Sequence, residues 1–209
     1  MLETLQAAGI IPLIKMDKTE HALPLSKALQ KGGLPLIEVT FRSEAALDSI
    51  RIIAKEAKDV LVCAGTVLNL AQAKAATEAG AKAIISPGYH LETIKWCQHN
   101  NIPIIPGCAT PTELEALMRE GLSLVKLFPA EVLGGVSMLK ALSGPYPDMM
   151  FMPTGGISPE NVTSYLSQKN VAACGGSWVV PWDLLTTGQF DEIEKLAKEA
   201  VNIRDKARV

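Results

Sequence analysis

PLIEVTFR, residues 35 to 42, reads as a strand whose two sides differ in kind. Ile37, Val39 and Phe41 alternate with Glu38, Thr40 and Arg42, and the two-residue period of a strand sends each set to its own side. In an antiparallel sheet such a polar side simply meets water. In a parallel sheet covered on both faces it has no solvent to meet. The neighbouring segments decide between the two. SEAALDSIRIIAKEA (43–57) follows at once, with helical spacing and a serine at its start, and only then comes the next apolar run, DVLVCAGT (59–66). Strand, helix, strand is the order of a parallel crossover, so the polar side of residues 38 to 42 predicts a functional interior.

The same alternation runs along the chain. IIPLIK (10–15) precedes this stretch, and AKAIISP (81–87), IPIIPG (102–107), LVKLFPA (124–130), FMPTGG (151–156) and VAACGGS (171–177) follow it, which makes eight apolar runs with PLIEVTF and DVLVCAGT. Helical stretches such as EHALPLSKALQKG (20–32), NLAQAKAATEAG (69–80) and TPTELEALMREG (110–121) separate them, several with polar caps at the start and glycine at the end. Eight βα units in 209 residues predict a compact (β/α)8 TIM barrel with a short N-terminal helix, MLETLQAAG, across one end. DEIEKLAKEAVNIRDKAR (191–208) is the last helix. Residues 1–209 read as a single (β/α)8 barrel domain, without linker or low-complexity segment. An open doubly wound sheet shares the alternation, but it usually carries a glycine-rich dinucleotide loop after its first strand, where this chain has KMDKTE.

Composition excludes several classes. With 48% hydrophobic and 20% charged residues the chain is not disordered, and a scattered net charge of -2 offers no footprint for nucleic acid. The N-terminus has neither the basic nor the hydrophobic region of an export signal, and no apolar run approaches the roughly 20 residues of a membrane span, so a soluble cytoplasmic protein is expected. Cys63, Cys97, Cys108 and Cys174 lie far apart, and His21, His90 and His99 do not complete a zinc pattern with them. Buried reduced thiols are predicted, with Cys97 and His99 as ordinary helix-surface residues on opposite sides of a helix.

A barrel collects catalytic groups at the carboxyl ends of its strands. Here those ends hold Lys15; Glu38, Thr40 and Arg42; Gly65 and Thr66; Ser86 and Pro87; Pro106 and Gly107; Lys126; Thr154, Gly155 and Gly156; and Gly176 and Ser177. Arg42 either joins the polar set of its strand or begins the next helix. Lys126, in GLSLVKLFPAE (121–131), either snorkels to solvent or is held in apolar surroundings beside a cation, where the neutral amine is favoured. A neutral amine attacks a ketone, and the resulting protonated imine draws electrons from the adjacent carbon, so that a carbon-carbon bond can break. PTGGIS (153–158) and CGGSW (174–178) present unobstructed backbone N–H groups, with hydroxyls from Ser158 and Ser177, at the two strand ends where phosphate commonly docks in this fold.

Taken together, EHALPLSKAL, GGLPLIEVTFRS, AGTVLN, GAKAIISPG, IPGCATPTEL, VKLFPAE, GGV, PTGGISPEN and GGSWVVP resemble, in order and spacing over nearly the whole chain, the class I 2-keto-3-deoxy-6-phosphogluconate (KDPG) and 4-hydroxy-2-oxoglutarate (KHG) aldolases. The resemblance implies an imine on Lys126 and proton transfer by Glu38. It implies carboxylate binding by Arg42 and Thr66, with Pro87 and Thr154 beside the substrate and the phosphate on Gly155, Gly156, Gly176 and Ser177. It further implies an Entner-Doudoroff enzyme that releases pyruvate, needs no metal or organic cofactor and forms a homotrimer; Trp182 and Phe190, as apolar residues, either lie at an interface or pack under the last helix. Phe41 stands where the family often has leucine, and the more variable KMDKTE turn leaves open whether Lys15 takes part in phosphate binding. Two other readings stay open: an aldolase for 2-keto-3-deoxy-6-phosphogalactonate, and a barrel that binds a phosphorylated ligand without catalysis.

Overall fold

In a computed structural model, described over residues 1–208, helix α1 (Leu2–Ala8) leads into strand β1 (Ile10–Ile14). There follow α2 (Ala22–Lys31), β2 (Leu36–Thr40), α3 (Ala46–Glu56), β3 (Leu61–Gly65), α4 (Leu70–Glu78), β4 (Ile84–Ile85) and α5 (Leu91–His99). Next come β5 (Ile104–Ile105), β6 (Gly107–Cys108), α6 (Pro111–Arg119), β7 (Leu124–Leu127), α7 (Gly135–Ser143) and β8 (Met150–Pro153). The chain closes with α8 (Val162–Leu166), β9 (Cys174–Gly176), α9 (Trp182–Thr186) and α10 (Phe190–Ala207).

All strand pairings are parallel, in a six-stranded sheet ordered β5-β4-β3-β2-β1-β9 and a three-stranded sheet ordered β6-β7-β8. This is an α/β fold with a curled parallel sheet. The fifth apolar run, read from sequence as one strand, is two short pieces. Pro106 parts them because it has no N–H for the ladder, although its carbonyl still accepts the Lys126 N–H at 2.9 Å.

The strands are apolar on both faces because both are buried. On the helix side, Ile37, Val39, Val62, Ile84, Val125 and Phe151 pack with Leu25, Ile50, Leu114 and Leu139 of the helices. On the other side, Ile11, Leu36, Cys63, Ile85, Ile105, Met152 and Ala173 form a second cluster, and Leu5 of α1 is part of it with no exposed surface. The predicted terminal helix therefore does cover the inner face. Burying one leucine fully stabilises the fold by about 1.5–3 kcal/mol.

Helix α6 starts on a reciprocal cap. The Glu113 N–H donates to the Thr110 hydroxyl at 3.3 Å, while Glu113 Oε2 accepts the Thr110 and Ala109 N–H groups at 2.9 and 2.8 Å, with Pro111 inside the first turn. The Ala109 N–H, more than any other group, holds the Glu113 carboxyl below its ordinary value.

All four cysteines are free and buried. Cys97 and His99 do face opposite ways on α5. Cys97, read from sequence as a surface residue, instead belongs to the helix-side core, because its side of α5 packs with Ile94 against the sheet. Phe190 likewise packs against that core, edge-on to His21 with centroids 5.5 Å apart, whereas Trp182 is 48% exposed. Among the described residues, no helix is long and apolar enough to cross a membrane.

Candidate active site

Inward-facing residues two apart climb each strand from the apolar inner cluster towards the carboxyl ends, and on several strands the chemistry changes in one step. Leu36 is followed by Glu38 and Thr40, Leu124 by Lys126, and Met152 by Thr154. Glu38 has no exposed surface, and Lys126 and Thr154 are each 3% exposed. Lys126 does not snorkel to solvent. Its ammonium Nζ lies 3.4 Å from Glu38 Oε1 across the interior, and 5.6 Å from the centroid of the Phe128 ring. The group that Lys126 meets is the carboxylate of Glu38, since parallel strands β2 and β7 turn both side chains to one interior.

The second oxygen of Glu38, Oε2, is buried without a hydrogen-bond partner. A buried carboxylate oxygen in that condition is costly unless a ligand supplies a donor. The side chain fits only because β3 ends in Gly65. A Cβ at that position would sit 2.2 Å from Glu38 Oε1 and 2.5 Å from its Cγ, closer than atoms pack. Cys63, the register partner of Glu38, is held in its neutral thiol form, first by burial and then by the Glu38 charge. It is therefore no rival nucleophile to the lysine.

Arg42 lies just beyond β2 and resolves its two sequence readings in favour of the polar set. Its Nε donates to Thr40 Oγ1 at 3.0 Å, and the Thr40 hydroxyl donates to the Ile14 carbonyl at 2.8 Å, so a chain of hydrogen bonds ties the guanidinium to the ends of β1 and β2. Thr66 follows β3 half-buried at φ +56°, a conformation that a β-branched residue adopts only under constraint and one that clusters at functional sites. Pro87 stands beyond β4. Its carbonyl occupies the space, 2.0 Å away, that a side chain on Gly107 would need, and Gly107 is the register partner of Lys126. A cleft of about 210 Å³ between the turns after β3 and β4 is walled by Val67, Leu68, Ser86 and Pro87, among others, and includes neither Lys126 nor Glu38 in its lining.

The two glycine turns stand side by side. Thr154 bridges to Gly175, and Gly176 pairs with Pro12 of β1. Gly155 and Gly156 adopt φ values of +97° and +80°, which glycine reaches at least cost. The Gly155 carbonyl accepts the Glu131 N–H at 3.1 Å, and the Gly156 carbonyl accepts from Asn161 Nδ2 at 2.8 Å. Ser177 is exposed at the end of β9. Sequence reading missed the buttress beneath this turn: the fully buried Tyr165 donates its hydroxyl to Glu131, whose side chain packs under Gly156. The residues are 34 positions apart, and no local pattern joins them. Burial foremost, then the Glu131 hydrogen bond, keeps the Tyr165 phenol protonated.

Comparison with known proteins points one way. The sequence model of the KDPG and KHG aldolases matches residues 1–196. The KHG/KDPG aldolase of Escherichia coli (strain K12) is 49% identical over 197 residues, which covers 94% of this chain and 92% of that protein. Among solved structures, the KDPG aldolase of Legionella pneumophila with pyruvate captured at low pH as a covalent carbinolamine intermediate matches at TM-score 0.92 and 38% identity, over 94% of this chain and 96% of that one. The 2-keto-3-deoxy-6-phosphogluconate aldolase of Zymomonas mobilis ZM4 with 3-phosphoglycerate matches at TM-score 0.88 and 35% identity, over 95% and 93% of the two chains.

Proposed function

Because the chain belongs to the KDPG and KHG aldolase family and is an aldolase, we propose that it cleaves 2-keto-3-deoxy-6-phosphogluconate to pyruvate and glyceraldehyde 3-phosphate through an imine on Lys126, and 4-hydroxy-2-oxoglutarate to pyruvate and glyoxylate by the same route. The observation that carries this reading is the buried pair of Lys126 and Glu38 at 3.4 Å, with one carboxylate oxygen still unpartnered.

The ammonium of Lys126 passes a proton to Glu38, and the neutral amine adds to the C2 ketone, one of its N–H protons moving to the carbonyl oxygen to give the carbinolamine. The carbinolamine then loses water with a proton returned by Glu38, and the iminium ion forms. Glu38, through its free oxygen, next accepts the proton of the C4 hydroxyl; the C3–C4 bond breaks, and its electron pair moves into the enamine. Protonation at C3 and hydrolysis release pyruvate and restore the lysine. Arg42, anchored through Thr40, and Thr66 hold the substrate carboxylate, with Pro87 and Thr154 along the carbon chain. Gly155, Gly156, Gly176 and Ser177 receive the phosphate.

The scaffold for these roles is a closed (β/α)8 barrel formed by the chain as one domain. The Phe151–Val171 and Thr154–Gly175 bridges between β8 and the β9 region support closure on that side, and the Lys126 N–H bonded to the Pro106 carbonyl between β5 and β6 supports it on the other. The protein works as a cytoplasmic homotrimer, a reading supported by family membership alone. Incubation with pyruvate and borohydride tests the chemistry: a reduced pyruvyl adduct is expected on the peptide carrying Lys126 and is lost in Lys126→Ala. An adduct that persists in that variant overturns the assignment.

A further inference from the structure

Arg42 is fastened before any substrate arrives. On one side of it the Phe41 N–H donates to the Gly65 carbonyl of β3 at 2.8 Å, and on the other the Ser43 hydroxyl donates to the Met16 carbonyl just beyond β1. The side chain of Arg42 remains exposed, and the group that steers it is Thr40, which is 1% exposed. The Thr40 hydroxyl has a fixed polarity. The Ile14 carbonyl, 2.8 Å away, can only accept, so the hydroxyl must donate to it and turn a lone pair towards Arg42. That lone pair receives Arg42 Nε at 3.0 Å.

A guanidinium meets a carboxylate in parallel hydrogen bonds along one of its edges, either the side edge of Nε with a terminal nitrogen or the end edge of Nη1 with Nη2. Thr40 occupies Nε, so the side edge is taken and the end edge is left for a ligand. Resting on the aldolase reading above, we propose that Thr40 is a positioning residue whose hydroxyl turns Arg42 to grip the substrate carboxylate end-on, through Nη1 and Nη2. The group recognised is the planar carboxylate beside the ketone, which pyruvate and both cleavage substrates share. Thr40 therefore acts on all of them alike, through Arg42, and has no effect on a ketone without a carboxylate.

Borohydride trapping titrated with pyruvate, with steady-state cleavage beside it, tests this in Thr40→Val, Thr40→Ala and Thr40→Ser. Loss of the hydroxyl in the first two is expected to raise the half-saturating pyruvate concentration, and KM for both cleavage substrates, roughly tenfold with kcat little changed, the loss that one charge-assisted hydrogen bond implies. Thr40→Ser should restore most of it. Labelling of Lys126 by acetone and borohydride should match the unmodified protein, which a general disturbance of the site would not allow. In an Arg42→Ala background, Thr40→Ala should add no more than about twofold, because the hydroxyl acts only through the arginine. Unchanged pyruvate saturation, an equal loss of acetone labelling, or a full further loss in the Arg42→Ala background overturns the proposal. A missing pyruvate adduct on Lys126 of the unmodified protein would instead refute the imine reading, a result separate from any difference among the Thr40 variants.

Discussion

The two ends of the strand bundle are built from the same inward-facing positions and do opposite work. At the amino end Ile11, Leu36, Ile105 and Met152 meet Leu5 of α1 in an apolar cluster. One step further along the strands stand Glu38, Lys126 and Thr154 in nearly equal burial. Burial therefore does not distinguish the ends; the chemistry of the side chains does. The apolar end contributes stability through area removed from water, whereas the polar end holds a buried ion pair, which is weak evidence of stability and better explained by a task.

Substitutions can break this division. The largest effect in this set is expected from Gly65→Ala at the polar end. Its Cβ would fall on the Glu38 carboxyl, and the forced shift of about an ångström should lower kcat by roughly 100-fold while the far-ultraviolet circular dichroism stays as it is. Normal turnover in that variant would mean that the position of Glu38 does not matter.

Leu5→Ala tests the opposite end. It should cost about 2–5 kcal/mol in urea unfolding and leave kcat/KM unchanged, and a parallel loss of activity would erase the distinction between the ends. The smallest effect sharpens the comparison, since not every polar residue beside the carboxyl ends serves the chemistry. Glu113 caps α6, and its carboxyl is held below the ordinary value, so its contribution is complete above that ordinary value and is lost as pH falls through the lower folded one. Glu113→Ala should therefore cost about 0.5–1 kcal/mol near neutral pH, with a gap from the unmodified protein that closes in acid. A gap that stays constant into strong acid would show that the carboxylate charge is not what caps the helix.

Much of the fold was legible because a covered parallel strand must be apolar on both faces, and the runs around residues 37, 62, 84, 125 and 151 announced that. From the residue pattern alone the lysine and the glutamate were legible as two separate anomalies, which only the family resemblance joined. IEVTF placed a carboxylate where no solvent face exists, and VKLFP placed an ammonium in an apolar run. The distance at which they meet depends on residues 88 positions apart. The split of the fifth strand at Pro106 followed from proline chemistry that the apolar pattern had masked. Cys97 was misplaced on the surface because its immediate neighbours, Trp96 and Gln98, do not reveal which side of α5 faces the sheet.

The sequence by itself determined which segments form strands, which form helices, and which few residues are too polar for the places they occupy, because periodicity and local turn chemistry act over a handful of residues. The tertiary structure alone decided that Gly65 is the clearance for Glu38, that Tyr165 and Glu131 brace the Gly156 turn, and that Lys15 faces Trp182. Each of these depends on side chains brought together across strands far apart in the chain, and no local pattern encodes that distance.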